Sequence, residues 1–69
     1  MPEIHVNGEL RSFDPPLTLA RLVAEVTGTD ERRGLAVARN GAVIPRSGWD
    51  DEPVEPGDDV EIAAPFAGG

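Results

Sequence analysis

The N-terminal segment alternates between hydrophobic and polar positions, as a half-buried strand does. Ile4 and Val6 are apolar and their neighbours are polar, so the two side chains point to one face of an extended chain. Asn7 and Gly8 follow, and this pair favours the tight turn of a two-residue hairpin. We therefore predict a β-hairpin whose return strand covers residues 10–13.

The next segment has the period of a helix. Its apolar residues recur at helical spacing and form one stripe, which consists of Leu19, Leu22, Val23 and Val26. Thr18 is a good N-cap, and Gly28 stands where a C-terminal cap belongs. Leu17 can form a hydrophobic staple with Leu22. We predict one short helix that needs a sheet to cover its apolar stripe.

The pattern then returns to strands. Residues 35–39 carry small alternate side chains, which suit a strand that lies under the helix. Asn40 and Gly41 repeat the hairpin turn, and residues 42–44 form the return strand, which Pro45 ends.

The last part of the chain predicts one more strand. Residues 46–52 form a loop or short turn, and residues 59–64 alternate between acidic and aliphatic side chains up to Pro65. Two hairpins joined by a right-handed helical crossover allow the first and last strands to pair in parallel. We predict an α+β fold of the β-grasp, or ubiquitin-like, type: a mixed sheet of about five strands packed on one helix. Residues 1–64 form this domain, and residues 65–69 form a flexible C-terminal tail.

Size and composition limit the possible functions. A chain of 69 residues buries only about 60% of its unfolded surface, so its core is too small to enclose a deep pocket as well. This argues against a self-sufficient enzyme. The chain has no Cys, which excludes disulfides, thiolate metal sites and thiol catalysis. No apolar run is long enough to cross a membrane, so we expect a soluble cytoplasmic protein.

The net charge of −7 is concentrated in the last third of the chain. Residues 1–46 hold all six Arg and six acids, whereas residues 47–69 hold seven acids and no base. This sign disfavours nucleic acid as a partner, including for a β-grasp module of the RNA-associated kind. The acids of residues 50–61 lack the spacing of a calcium loop, and we expect no metal site. The acidic segment either keeps the protein soluble or steers the tail toward a basic partner.

The chain ends in Gly68 and Gly69, which place a free carboxylate on a tether without side chains. Glycine enters narrow channels that other residues cannot, so this carboxylate suits the chemistry of another protein. Gly-rich termini are common, and a terminal pair of glycines arises by chance in roughly one protein in 200, so alone it is a weak indication.

Three stretches together resemble the sulfur carriers of the thiamine pathway, the ThiS family. Residues 35–49 read LAVARNGAVIPRSGW, residues 57–62 read GDDVEI, and the chain closes on Gly68 and Gly69. The resemblance covers essentially the whole chain and is specific from about Leu35 onward. One departure is the segment before the glycines, whose Pro65 is closer to the small subunits of molybdopterin synthase, the MoaD family.

The resemblance implies a carrier rather than an enzyme. A ThiF-like adenylyltransferase would use MgATP to convert the Gly69 carboxylate to an acyl adenylate, while the chain itself binds no cofactor. A sulfur donor fed by a cysteine desulfurase would then leave a Gly69 thiocarboxylate, and thiazole synthase would receive that sulfur. Gly68 would give the partner access to the reacting carbon.

Several other residues could contact a partner or serve a structural role. The candidates for docking a partner are Pro65, Phe66, Ala67 and Arg46. Phe66 could instead cap the core, and Arg46 could instead pair with the acidic segment. We expect Trp49 to be structural and to lie over the sheet edge, and His5 to be a half-exposed structural residue.

Two alternatives share the fold and the tail. A MoaD-like small subunit would form a lasting complex with a larger catalytic chain. A ubiquitin-like modifier would be attached to target lysines through Gly69.

Overall fold

The structure is a computed structural model that describes residues 2–29 and 31–63. The elements follow the predicted order, with a 3-10 helix in the predicted loop of residues 46–52. They are β1 (Glu3–Val6), β2 (Glu9–Ser12), α1 (Leu19–Thr27), β3 (Ala36–Arg39), β4 (Ala42–Ile44), the 3-10 helix (Arg46–Asp51) and β5 (Asp59–Ala63).

The strands form one mixed sheet in the order β2-β1-β5-β3-β4. The last strand, β5, occupies the centre, where it pairs in parallel with β1 and antiparallel with β3. Each hairpin adds its other strand at an outer edge of the sheet. This arrangement, with one helix packed on the sheet, confirms the predicted α+β β-grasp architecture.

Local chemistry places the turns and the helix ends where the sequence predicts them. Asn7 and Asn40 both adopt left-handed backbone conformations, with φ of 53° and 51°, as the first residue of each Asn-Gly turn requires. The Thr18 hydroxyl accepts a hydrogen bond from the Arg21 amide at 3.2 Å, and Gly28 caps the other end of the helix with φ of 79°.

The core lies between α1 and the inner face of the sheet. Its buried members are Ile4, Val6, Phe13, Leu17, Leu19, Ala20, Leu22, Val23, Val37, Trp49, Val54 and Val60. Trp49 is fully buried, and its indole Nε1 donates to the Ile44 carbonyl at 2.8 Å. The predicted structural role of Trp49 is therefore confirmed, but the residue lies inside the core rather than over the sheet edge.

Two further details of the predicted packing are wrong. Val26 ends the predicted apolar stripe yet is 36% exposed, because it borders an open depression that separates the end of α1 from the β1–β2 turn. In β3, the small residues Ala36 and Ala38 do not lie under the helix. Ala36 is exposed, and the register of β3 puts both residues on the open face, while Val37 faces the core.

A buried ion pair holds the start of β5. Asp58 is buried, and its carboxylate lies 3.0 Å from Nε of Arg39. The same carboxylate accepts hydrogen bonds from the Glu55 amide at 2.9 Å and from Nδ2 of Asn40 at 3.1 Å. Asn40 Oδ1 in turn accepts from the Asp59 amide at 2.9 Å. The turn before β5 is thus joined to the β3–β4 hairpin.

Candidate functional site

The candidate site is the end of β5, from which the C-terminal residues continue. The last described residue, Ala63, pairs with Ala36 at the start of β3. The predicted site residues beyond this point lie outside the described residues, as does the predicted boundary between residues 1–64 and 65–69. They are Pro65, Phe66, Ala67, Gly68 and Gly69.

The β1–β2 turn contacts the end of β5 on the side opposite to β3. The Asn7 amide donates to the Val60 carbonyl at 2.9 Å. The Asn7 side chain then binds the backbone of Ile62, with Oδ1 accepting from its amide at 2.8 Å and Nδ2 donating to its carbonyl at 3.2 Å. Asn7 was predicted only as a turn residue, and this contact spans 55 positions of sequence.

The face of β5 that points away from the helix is acidic and open to solvent. Asp59, Glu61 and Ala63 are exposed and alternate with Val60 and Ile62, which face the core. The neighbouring strands place small or polar residues on the same open face, namely His5, Ala36 and Ala38. His5 is exposed rather than half-exposed. A partner can therefore approach β5 along this face, which is flanked on the edge strands by the exposed apolar side chains of Leu10 and Val43.

The structure separates five of the acids in the last third of the chain into two groups. Asp58 is buried against Arg39, and Glu52 and Glu55 lie 3.3 and 3.6 Å from the same guanidinium. Asp59 and Glu61, in contrast, make no ion pair within the part of the chain that the structure describes. The first group is structural, and the second is available to a partner.

A further ion pair joins the 3-10 helix to the loop after α1. Both terminal nitrogens of the Arg32 guanidinium donate to the Asp50 carboxylate, Nη2 at 3.0 Å and Nη1 at 3.3 Å. The same guanidinium also lies 5.8 Å from the centroid of the Trp49 ring. The hydrogen bonds and the charge of Arg32 hold the pKa of Asp50 below its ordinary value of 3.8. This acid is therefore anionic at neutral pH and tied to the loop.

Arg46 lies at the same end of the sheet as Ala63. It follows β4, whose last residue, Ile44, pairs with Val37 beside the end of β5. Arg46 is exposed and forms no ion pair with any of the described residues, so the alternative that it pairs with the acidic segment is not observed there.

Arg39, rather than Arg46, forms ion pairs with Glu52, Glu55 and Asp58. The sequence could have indicated this role of Arg39, because the residue stands two positions after Val37 in the same strand. Both side chains therefore face the core side of the sheet. An arginine placed there needs carboxylate partners, because a buried charge without one is strongly unfavourable.

The described residues contain neither a cluster of metal ligands nor a helix that could span a membrane. Across residues 2–29 and 31–63, no three His, Cys, Asp or Glu side chains are grouped as metal ligands. In the same ranges, no helix has the length and apolar character needed to cross a membrane.

Comparison with known proteins relates nearly the whole chain to thiamine biosynthesis proteins. A family model described as the ThiS family matches residues 4–69. A thiazole synthase from Paramagnetospirillum magneticum is 39% identical over 64 residues, which make up 93% of this chain but 19% of that protein, so the chain spans less than a fifth of its length. The crystal structure of a thiamine biosynthesis protein (ThiS) from Geobacter metallireducens superposes with a TM-score of 0.76 at 28% identity and covers 97% of this chain and 99% of that one.

Proposed function

The chain belongs to the ThiS family, and on that premise we propose that it carries sulfur for thiazole formation in thiamine biosynthesis. The carrying group is the Gly69 carboxylate, which is adenylated and then converted to a thiocarboxylate. The observation that carries this proposal is the extent of the family match, which reaches Gly69 and includes Gly68. In this role the protein is a substrate of its partners rather than a catalyst.

The chemistry begins from an unreactive group. A C-terminal carboxylate has a pKa near 3.5, so at neutral pH it is an anion and a poor electrophile. A ThiF-like adenylyltransferase with MgATP supplies the activation: a Gly69 oxygen attacks the α-phosphorus, pyrophosphate leaves, and an acyl adenylate forms. A sulfur nucleophile, supplied through a cysteine desulfurase, then attacks the carbonyl carbon and expels AMP. With hydrosulfide as the nucleophile, the products are the thiocarboxylate, AMP and a proton.

The residues of this chain suit that role in two ways. The chain has no Cys, so it has no thiol on which to carry sulfur as a persulfide. Five residues span about 17 Å when a chain is fully extended, so the length from Pro65 to Gly69 is enough for the carboxylate to enter a covered active site. Gly68 leaves the approach to the reacting carbon free of a side chain.

The open face of β5 is a candidate docking surface for the partner. Asp59 and Glu61 are exposed on the strand that leads to the C-terminal residues, and they favour a partner with a basic surface. Pro65, Phe66, Ala67 and Arg46 are the further docking candidates, and Arg46 is exposed at the same end of the sheet.

Thiazole synthase is the proposed acceptor of the sulfur. Support comes from the relative named thiazole synthase, which contains a stretch similar to 93% of this chain.

Intact-mass spectrometry tests the carrier role. We would incubate the protein with a candidate adenylyltransferase, MgATP and hydrosulfide, and we expect one oxygen of Gly69 to be replaced by sulfur. Omission of ATP and deletion of Gly69 are the matched controls, and both should abolish the product. Failure to form the thiocarboxylate with any activator tested would refute the proposal.

A second step of the experiment separates the pathways. Loss of the sulfur to thiazole synthase, with return of the original mass, supports the thiamine pathway. Transfer only to a molybdopterin-synthase catalytic subunit would favour the MoaD-like alternative, and isopeptide conjugates in cells would favour the modifier.

A further inference from the structure

The side chain of Asn7 takes the place of a strand residue beside the end of β5. After its amide binds Val60, the chain turns away from β5 at Asn7 and Gly8, with φ of 53° and 84°. The Asn7 carboxamide nevertheless pairs with both the amide and the carbonyl of Ile62, at 2.8 and 3.2 Å. A carboxamide carries the same donor and acceptor as a peptide group, so it continues the ladder after β1 has ended.

The backbone of Ile62 depends on this contact. Successive residues of a strand direct their backbone groups to opposite sides. The hydrogen bonds to Asn7 show that the amide and carbonyl of Ile62 are directed to the β1 side, where β1 no longer provides a partner. Ile62 stands one residue before Ala63, the last described residue, and its side chain packs against the core. Asn7 therefore holds the point from which the C-terminal residues continue.

We infer that Asn7 is a positioning residue for activation of the carrier, an inference that rests on the proposed function. By holding Ile62 in the sheet, Asn7 fixes the point from which the segment that carries Gly69 continues. When only a fraction of molecules presents that segment correctly, the apparent affinity of the partner falls by the same fraction. Once the complex has formed, the chemistry at Gly69 is unchanged. Loss of the Asn7 side chain should therefore raise KM and leave kcat intact.

The second Asn-Gly turn provides a matched control. Asn40 has nearly the same backbone conformation as Asn7, and its side chain also binds β5, but at the beginning of the strand, through Asp58 and Asp59. Glycine tolerates the left-handed conformation of both positions. The two Asn→Gly variants thus remove equivalent side chains from opposite ends of one strand.

The experiment compares Asn7→Gly and Asn40→Gly as substrates of the adenylyltransferase, with pyrophosphate release as the assay, at a temperature where both variants are folded. We expect Asn7→Gly to raise KM by roughly five-fold with kcat unchanged, the effect of losing about one net hydrogen bond. Asn40→Gly should keep the original KM. Asn7→Asp retains the acceptor for the Ile62 amide and should give an intermediate KM.

Hydrogen exchange provides a readout that does not depend on activation. The Ile62 amide should exchange roughly five-fold faster in Asn7→Gly, since the same net hydrogen bond is lost, and at the original rate in Asn40→Gly. Faster exchange with an unchanged KM would overturn the positioning role, and so would an equal rise of KM in both variants. If the unaltered protein is not adenylated at all, the proposed function fails and the positioning role fails with it, while the exchange rates still establish whether Asn7 holds Ile62.

Discussion

Replacement of Asp58 by alanine should lower the free energy of unfolding by about 3 kcal/mol. The substitution removes the closest carboxylate from Arg39, whose side chain is 16% exposed, together with the acceptor for the Glu55 amide and for Nδ2 of Asn40. Breaking a buried ion pair costs about 3–5 kcal/mol. The lower end of this range applies because Arg39 keeps Glu52 and Glu55 within 3.6 Å.

This loss is large for so small a domain. A chain of 69 residues has a total stability of about 3–10 kcal/mol at the usual value per residue. Urea unfolding followed by the fluorescence of Trp49, the single and fully buried tryptophan, measures the change. The midpoint should fall while the dependence on urea concentration stays the same, since the surface exposed on unfolding does not change.

Two further variants keep the Asp58 prediction testable. Asp58→Asn retains the shape and one acceptor, so it should remain folded and lose about half as much stability. Asp59→Ala is the matched control, because this exposed neighbour makes no side-chain hydrogen bond or ion pair with the described residues. A loss in Asp58→Ala within about 0.5 kcal/mol of the loss in Asp59→Ala would refute the network argument.

Three other predictions concern activation and pH. Gly68→Val should slow thiocarboxylate formation on the order of 100-fold without changing the urea midpoint, because a branched side chain displaces the reacting carbon; an unchanged rate by intact mass would contradict this. Neutralising Asp59 and Glu61 together, as Asn and Gln, should lower the association rate with a basic activator about ten-fold at low salt, measured by stopped-flow. This difference should vanish at high salt, and its persistence would exclude steering. The pKa of Asp50 is lowered in the folded state, chiefly by hydrogen bonding to Arg32, so its stabilisation is present above pH 3.8 and lost as the pH falls through the lower folded value. Asp50→Asn should therefore be less stable than the original protein at neutral pH, and this difference should shrink as the pH falls below 3.8; a difference independent of pH would contradict the assignment.

Most of the secondary structure could be predicted from the sequence because it depends on near neighbours. Both Asn-Gly turns, the Thr18 cap and the Gly28 cap form where local backbone chemistry predicts them. The predicted order of strands and helix left few arrangements with short, right-handed connections, and the observed sheet is one of these. The family resemblance also followed from the sequence, since residues 35–49 and the final glycines lie in contiguous stretches.

The candidate site was only partly predictable. Gly68 and Gly69 were identified from their chemistry and remain predictions, because they lie outside the described residues. Asn7 was predicted as a turn residue, but nothing local indicates that its side chain binds Ile62. Arg46 was considered for the acidic segment, yet Arg39 binds those acids.

The sequence alone thus determines the turns, the helix caps, the alternation of the strands and the reactive terminus, because each depends on residues within a few positions of one another. Folding determines which acids are buried against Arg39 and which stay open on β5, and it brings Asn7 to Ile62 across 55 positions. These outcomes depend on which strands become neighbours and in what register. A one-residue shift in register would move every side chain of a strand to the opposite face, so burial and partners are decided when the sheet forms.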